Sequence, residues 1–187
     1  IGSYQVIDEH YDLDYNLFLA FLDRYNQYTC GYFERTDDLD QAQENKLELI
    51  CNKLNLREGD KVLDIGGGWG GLALYMTERF DVDVSIVTLS RQQANHARKL
   101  CERRKVKVHV CDYRDIPLLF PSGGFDKVTA VGILEHIGHK NYNQFMKVVN
   151  HALIPEGRCL FQTLYSPTDR ILSNPWVCKH IFPNHEL

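Results

Sequence analysis

At 187 residues, with 44% hydrophobic and 25% charged side chains, the chain has the size and make-up of one packed α/β domain, which excludes a disordered or low-complexity protein. A formal charge of −4 argues against general nucleic-acid binding and gives no net attraction to an anionic membrane. No apolar run is long enough to cross a bilayer, and IGSYQVIDEHYD lacks the basic and apolar blocks of a signal peptide.

Residues 9–34 are rich in aromatic side chains, among them Tyr11, Tyr15, Phe18, Phe21, Tyr25, Tyr28, Tyr32 and Phe33. Leu13, Leu17, Phe18, Phe21 and Leu22 recur at helical spacing, which predicts a helix with one buried face. A second helix is predicted over 39–55, with Leu47, Ile50, Cys51 and Leu54 on one stripe, ending before the turn Arg57-Glu58-Gly59-Asp60. Strands then alternate with helices. Strands are predicted at 61–66, 83–90, 106–112, 125–134 and 158–165, and helices at 70–80, 91–104 and 141–153, the last stopped by Pro155-Glu156-Gly157. This order implies a doubly wound α/β fold with a parallel sheet, whose ligands sit outside the carboxyl ends of the strands. Six scattered cysteines (Cys30, Cys51, Cys101, Cys111, Cys159 and Cys178) form no C-x-x-C pair, and all but Cys30 read as buried or idle thiols in a reducing cytosol.

The stretch VLDIGGGWGG, Val62 to Gly71, follows a strand and opens a helix, so a ligand can approach its backbone closely. Gly66, Gly68 and Gly71 match the dinucleotide pattern G-x-G-x-x-G. Such sites place an acid at the end of the second strand, yet that end reads Val87-Thr88-Leu89-Ser90. Asp64 points elsewhere, because a carboxylate at this mouth suits the ammonium of a methionine group and would repel a pyrophosphate. The plain alternative is that Asp64 only caps the turn. Asp112, at the end of the third strand, is placed to accept from an adenine amino group, with Tyr113 flanking the ring. S-adenosylmethionine is therefore the expected cofactor.

Together with EHYDL (Glu9 to Leu13), YTCGYF (Tyr28 to Phe33), VTLSRQQ (Val87 to Gln93), CDYRD (Cys111 to Asp115), GILEHIGHKNY (Gly132 to Tyr142) and NPWVCKHIFPN (Asn174 to Asn184), this loop resembles the cyclopropane fatty acid synthase family, which includes the mycolic acid cyclopropane synthases. The resemblance implies a Rossmann-like class I methyltransferase core over 57–187. An N-terminal helical segment, 1–56, would contribute to the acyl and cofactor pocket. It also implies methylene transfer from S-adenosylmethionine to a cis double bond of a phospholipid acyl chain, with bicarbonate as the base. By position, Tyr28 and Thr29 fall near the methionine end, Gly66, Gly67 and Gly68 along the cofactor, and Thr88 and Gln93 at the ribose. Cys30, Glu135, Gln162 and the carbonyl of Leu164 fall at the bicarbonate site. The aromatic segment supplies rings that favour a cation, or else simply packs a core. His136 and His139 lack a third ligand at suitable spacing, so no metal is expected.

Three departures stand out. Gly67 replaces a common cysteine, Gln162 replaces a histidine, and the chain stops soon after the fifth strand where a complete methyltransferase sheet adds two more. A glutamine amide can donate as an imidazole N–H does, but it cannot pass a proton. The resemblance thus leaves two alternatives: a lipid C-methyltransferase giving a branched product, or a truncated cofactor- or lipid-binding module. Peripheral contact with the cytoplasmic leaflet is expected, and the exposed edge strand would favour a homodimer.

Overall fold

The computed structural model describes residues 17–164 except Leu19. The EHYDL and NPWVCKHIFPN stretches, with Tyr11, Leu13, Tyr15 and Cys178, lie outside the described residues. Five strands, β1 (Lys61–Ile65), β2 (Asp83–Thr88), β3 (Val106–Val110), β4 (Phe125–Val131) and β5 (Leu153–Gln162), form a parallel sheet in the order β3-β2-β1-β4-β5. α1 (Leu39–Leu54) precedes the sheet, and between the strands run α2 (Gly71–Arg79), α3 (Arg91–Leu100), α4 (Ile116–Leu119), α5 (Leu134–Ile137) and α6 (Tyr142–Ala152).

Side chains alternate across the sheet, and both faces are covered. Val62, Val84 and Ile86 pack with Leu47, Ile50 and Leu54 of α1 and with Leu72 and Met76 of α2. Leu63, Ile65, Val87 and Val128 face the other way, onto Phe145 and Val149 of α6. The stripe predicted for the 39–55 helix is therefore the buried face of α1.

The chain winds outward from β1 through β2 to β3, then returns beside β1 with β4 and β5. The reversal lies between β1 and β4, the switch point where a doubly wound sheet opens a crevice at its carboxyl end. Several predicted strands run too long at that end, for a shared reason. β2 ends at Thr88 because Ser90 turns out to cap α3, its hydroxyl oxygen accepting from Gln93 N at 3.2 Å. Asp112 likewise caps a 3-10 turn, Tyr113–Asp115, that follows β3. β4 ends at Val131, since Gly132 takes a left-handed φ of 69° and the single turn of α5 begins two residues later. The helix predicted to reach Arg104 stops at Leu100.

One predicted boundary is wrong in kind. Pro155-Glu156-Gly157 is not a turn before the fifth strand, because β5 begins at Leu153 and contains it. Phe125 pairs with Leu153 and Lys127 with Arg158, so the extra residues bulge out of the ladder, with Glu156 left-handed at φ 63°. Pro155, lacking an N–H, is tolerated at such a bulge.

Candidate cofactor and acyl site

The crevice is a cavity of about 840 Å³ that collects every site residue predicted from the sequence. Asp64, Gly66, Gly67 and Gly68 come from the end of β1 and its loop. Thr88 and Gln93 come from β2 and α3, Asp112 and Tyr113 from beyond β3, and Glu135 from α5. Gln162 and Leu164 arrive with β5, and Tyr28, Thr29 and Cys30 with the segment before α1.

The glycine loop needs glycine for two reasons: Gly66, Gly68 and Gly70 take left-handed φ values of 76°, 54° and 91°, and neighbouring groups approach Gly67 and Gly71 closely. A Cβ on Gly67 would lie 2.6 Å from Asp64 Oδ2 and 2.8 Å from Ile86 Cγ2. A Cβ on Gly71 would lie 1.7 Å from the backbone oxygen of Tyr25, so the first turn of α2 is pressed against the Tyr25–Gln27 segment. That segment is held by Asp23, whose carboxylate accepts from Tyr25 N at 2.9 Å and Gln27 N at 2.6 Å.

Asp64 is only 1% exposed, and burial pushes its carboxyl up to about 7. It is not a turn cap of the ordinary kind, since Oδ2 has no hydrogen-bond partner among the described residues. Two more buried oxygens of the cavity wall share that condition: Gln43 Oε1 and Gln162 Oε1. A buried acceptor without a donor is costly, and those of Asp64 and Gln43 in one cavity suit a ligand with N–H groups and positive charge. The wall thus fits the methionine end of S-adenosylmethionine.

At the other end, Thr88 donates to Gln93 Oε1 at 3.0 Å, which joins the two residues predicted for a ribose. Asp112 is already engaged: Arg114 Nε donates to Oδ1 at 2.8 Å and an Arg114 terminal nitrogen donates to Oδ2 at 2.6 Å. Burial pushes the Asp112 carboxyl up, but these bonds outweigh it and hold the group below the usual carboxylate range. A ligand amino group would therefore use the remaining lone pairs of an ionised carboxylate.

The group predicted for bicarbonate is also contiguous. Thr163 donates to Glu135 Oε2 at 2.8 Å and lies 3.3 Å from the Leu164 carbonyl oxygen. Glu135 is 8% exposed, and Gln162 Nε2 lies 3.7 Å from Cys30 Sγ. In that orientation the amide nitrogen donates weakly to the thiol sulfur, and Oε1 is the buried acceptor left without a partner among the described residues.

The aromatic segment divides its work. Tyr25 packs edge-on against Tyr75 in the core, with ring centroids 5.4 Å apart. Phe18 instead meets Tyr28 at 5.5 Å and Trp69 at 5.1 Å, and Tyr28, Phe21 and Trp69 line the cavity. Trp69, a letter within the glycine pattern, was given no role by sequence reading. Two polar residues of α1, Gln43 and Lys46, were missed as well. They fall on the stripe of Leu47 and Ile50, and a polar residue on a buried stripe was the available signal. Burial lowers the Lys46 ammonium to about 8, against the pull of Asp23 and Cys30, which raise it. Among the described residues, no three His, Cys, Asp or Glu side chains are grouped to hold a metal ion, and no helix is long and apolar enough to cross a membrane.

A family profile described as mycolic acid cyclopropane synthetase matches residues 2–187. The chain belongs to this family. Within and around it, the chain is 45% identical over 176 residues to cyclopropane-fatty-acyl-phospholipid synthase of Escherichia coli K12, covering 94% of this chain and 45% of that protein. Among solved structures, the cyclopropane synthase MmaA2 from Mycobacterium tuberculosis superposes with TM-score 0.88 at 29% identity, covering 98% of this chain and 69% of that one. Mycolic acid cyclopropane synthase CmaA1, solved in complex with SAH and CTAB, gives TM-score 0.77 at 34% identity, covering 84% and 55%. The fold is that of class I S-adenosylmethionine-dependent methyltransferases. The chain spans about half the length of the curated relatives it matches.

Proposed function

We propose that this chain carries the cofactor half of an enzyme that converts a cis double bond in a phospholipid acyl chain to a cyclopropane. The observation that carries the reading is the fully buried Asp64 oxygen, without a partner among the described residues, in a cavity whose wall also carries the aromatic side chains of Phe21, Tyr28 and Trp69. When bound, S-adenosylmethionine supplies an electrophilic methyl group and bicarbonate a base.

The residues' own work follows from the chemistry. An alkene is a weak nucleophile, so its carbon must be held in line with the methyl at near-attack distance, which a preformed cavity favours. Addition of the methyl leaves a cationic carbon on the acyl chain. The rings of Phe21, Tyr28 and Trp69 present π faces to such a charge and exclude water that would quench it. Loss of a proton from the added methyl then closes the ring. Glu135, with Cys30, Gln162 and the Leu164 carbonyl around it, orients the base that takes this proton, and Thr163 holds Glu135 in place. Phe33, Leu39 and Leu164 are half exposed at the cavity's edge and offer an apolar entry for an acyl chain from the cytoplasmic leaflet.

A second reading keeps the cofactor and changes the product. Gln162 cannot pass a proton, so with a poorly held base the cation would instead lose a proton from a neighbouring chain carbon to water, leaving a methyl-branched alkene. A turnover assay separates the two. The protein is mixed with cis-monounsaturated phospholipid vesicles and methyl-labelled S-adenosylmethionine, with and without bicarbonate, and acyl products are identified by mass spectrometry and NMR. A cyclopropane formed faster with bicarbonate is the expected result. Branched product supports the second reading, and cofactor binding without labelled lipid removes both.

A further inference from the structure

Gln43 and Lys46 sit one turn apart on α1, 3% and 6% exposed, and both donate to Thr29. Gln43 Nε2 reaches the Thr29 carbonyl oxygen at 2.8 Å, and Lys46 Nζ reaches the hydroxyl oxygen at 2.8 Å. An ammonium removed from water is costly unless its position does something for the structure or the site.

The two bonds fix the polarity of this wall. A hydroxyl oxygen that accepts from Lys46 keeps its own proton to give, and Thr29 lines the cavity. The Gln43 amide has one chemically sensible orientation, because flipping it would set two oxygens 2.8 Å apart. Its Oε1 is therefore turned away from Thr29, buried in the lining of the same cavity and without a partner among the described residues. An acceptor and a donor thus stand side by side, the complement of an amino acid's ammonium and carboxylate.

We infer that Gln43 and Lys46 complete the subsite for the amino-acid end of the cofactor, Gln43 as a direct acceptor from the ammonium and Lys46 as a positioning residue that makes Thr29 the donor to the carboxylate. This rests on the cofactor reading above. It adds two residues of α1 to the site.

The test compares two ligands by titration calorimetry. S-adenosylhomocysteine carries the amino-acid end, whereas methylthioadenosine keeps the adenosine and the thioether and lacks it. Gln43→Leu and Lys46→Met preserve side-chain bulk on a buried stripe, and thermal melts check that each variant folds. Each variant is expected to bind S-adenosylhomocysteine about 10- to 100-fold more weakly, the effect of losing a hydrogen bond to a charged group, with methylthioadenosine binding unchanged. Equal weakening for both ligands, or for neither, in folded variants overturns the inference and leaves the cofactor reading standing. A wild-type chain that binds neither ligand removes both.

Discussion

Replacing Gly71 with alanine sets helix propensity against packing, and the structure predicts that packing wins. On propensity alone the change would stabilise α2 by about 1 kcal/mol. The added Cβ would lie 1.7 Å from the Tyr25 carbonyl oxygen, 2.6 Å from its carbon and 2.9 Å from Gln27 Nε2. Real Cβ contacts stay beyond 3.0 Å, so a backbone segment must retreat by more than an ångström. That segment cannot give cheaply. The Tyr25 ring is locked against Tyr75, and Asp23 accepts from the backbone N–H groups of Tyr25 and Gln27. Overpacking costs about 1–3 kcal/mol and a disturbed hydrogen bond about 1 kcal/mol more, so a net loss of about 1–3 kcal/mol is expected. In a domain of this size that lowers Tm by roughly 2–12 °C. Urea unfolding of G71A should show a lower midpoint at an unchanged slope. Because the same segment leads into Tyr28 and Thr29, cofactor affinity should fall too. A variant as stable as wild type, or more so, would refute the close approach.

Three further outcomes follow. Burial places the Asp64 carboxyl at about 7 in the fold against 3.8 for its ordinary value, so between those pH values the folded chain holds a proton that the unfolded chain has lost. Its contribution to stability therefore declines as pH rises through that window and levels off above it; urea melts across pH 4–8 should show this slope in wild type and not in Asp64→Asn. An ammonium ligand needs Asp64 ionised, so affinity for S-adenosylhomocysteine should weaken below about pH 7 with proton release on binding, measurable by calorimetry in buffers of different ionisation enthalpy. Gln162→His, which restores a group able to pass a proton, should raise bicarbonate stimulation of turnover at least several-fold if Gln162 limits the base; unchanged stimulation would show that the amide already suffices.

The sheet was readable because its signals are strong and local. Buried runs such as VLDI, a glycine loop and amphipathic helices forced a parallel order. What misled was the carboxyl end of each strand. There Ser90, Asp112 and Gly132 turn the chain, and their capping and left-handed geometry is a weaker signal than the apolar run before them. The bulge at Pro155 was misread for a related reason, since a Pro-Glu-Gly triplet marks a turn in most contexts. Residues on the strand ends could be expected at one site because doubly wound folds gather them there. Gln43 and Lys46 could not be reached that way. Their proximity to Thr29 depends on how α1 packs across the YTCGYF segment, a tertiary contact that spacing alone does not encode.

The most direct measurement is a crystal structure of the protein with S-adenosylhomocysteine. The account predicts the ligand in the cavity at the carboxyl ends of β1 and β4, with its amino-acid end beside Asp64 and Thr29 and its adenine against Asp112 and Tyr113. A ligand bound elsewhere, or in the cavity with the adenine beside Asp64, would contradict it.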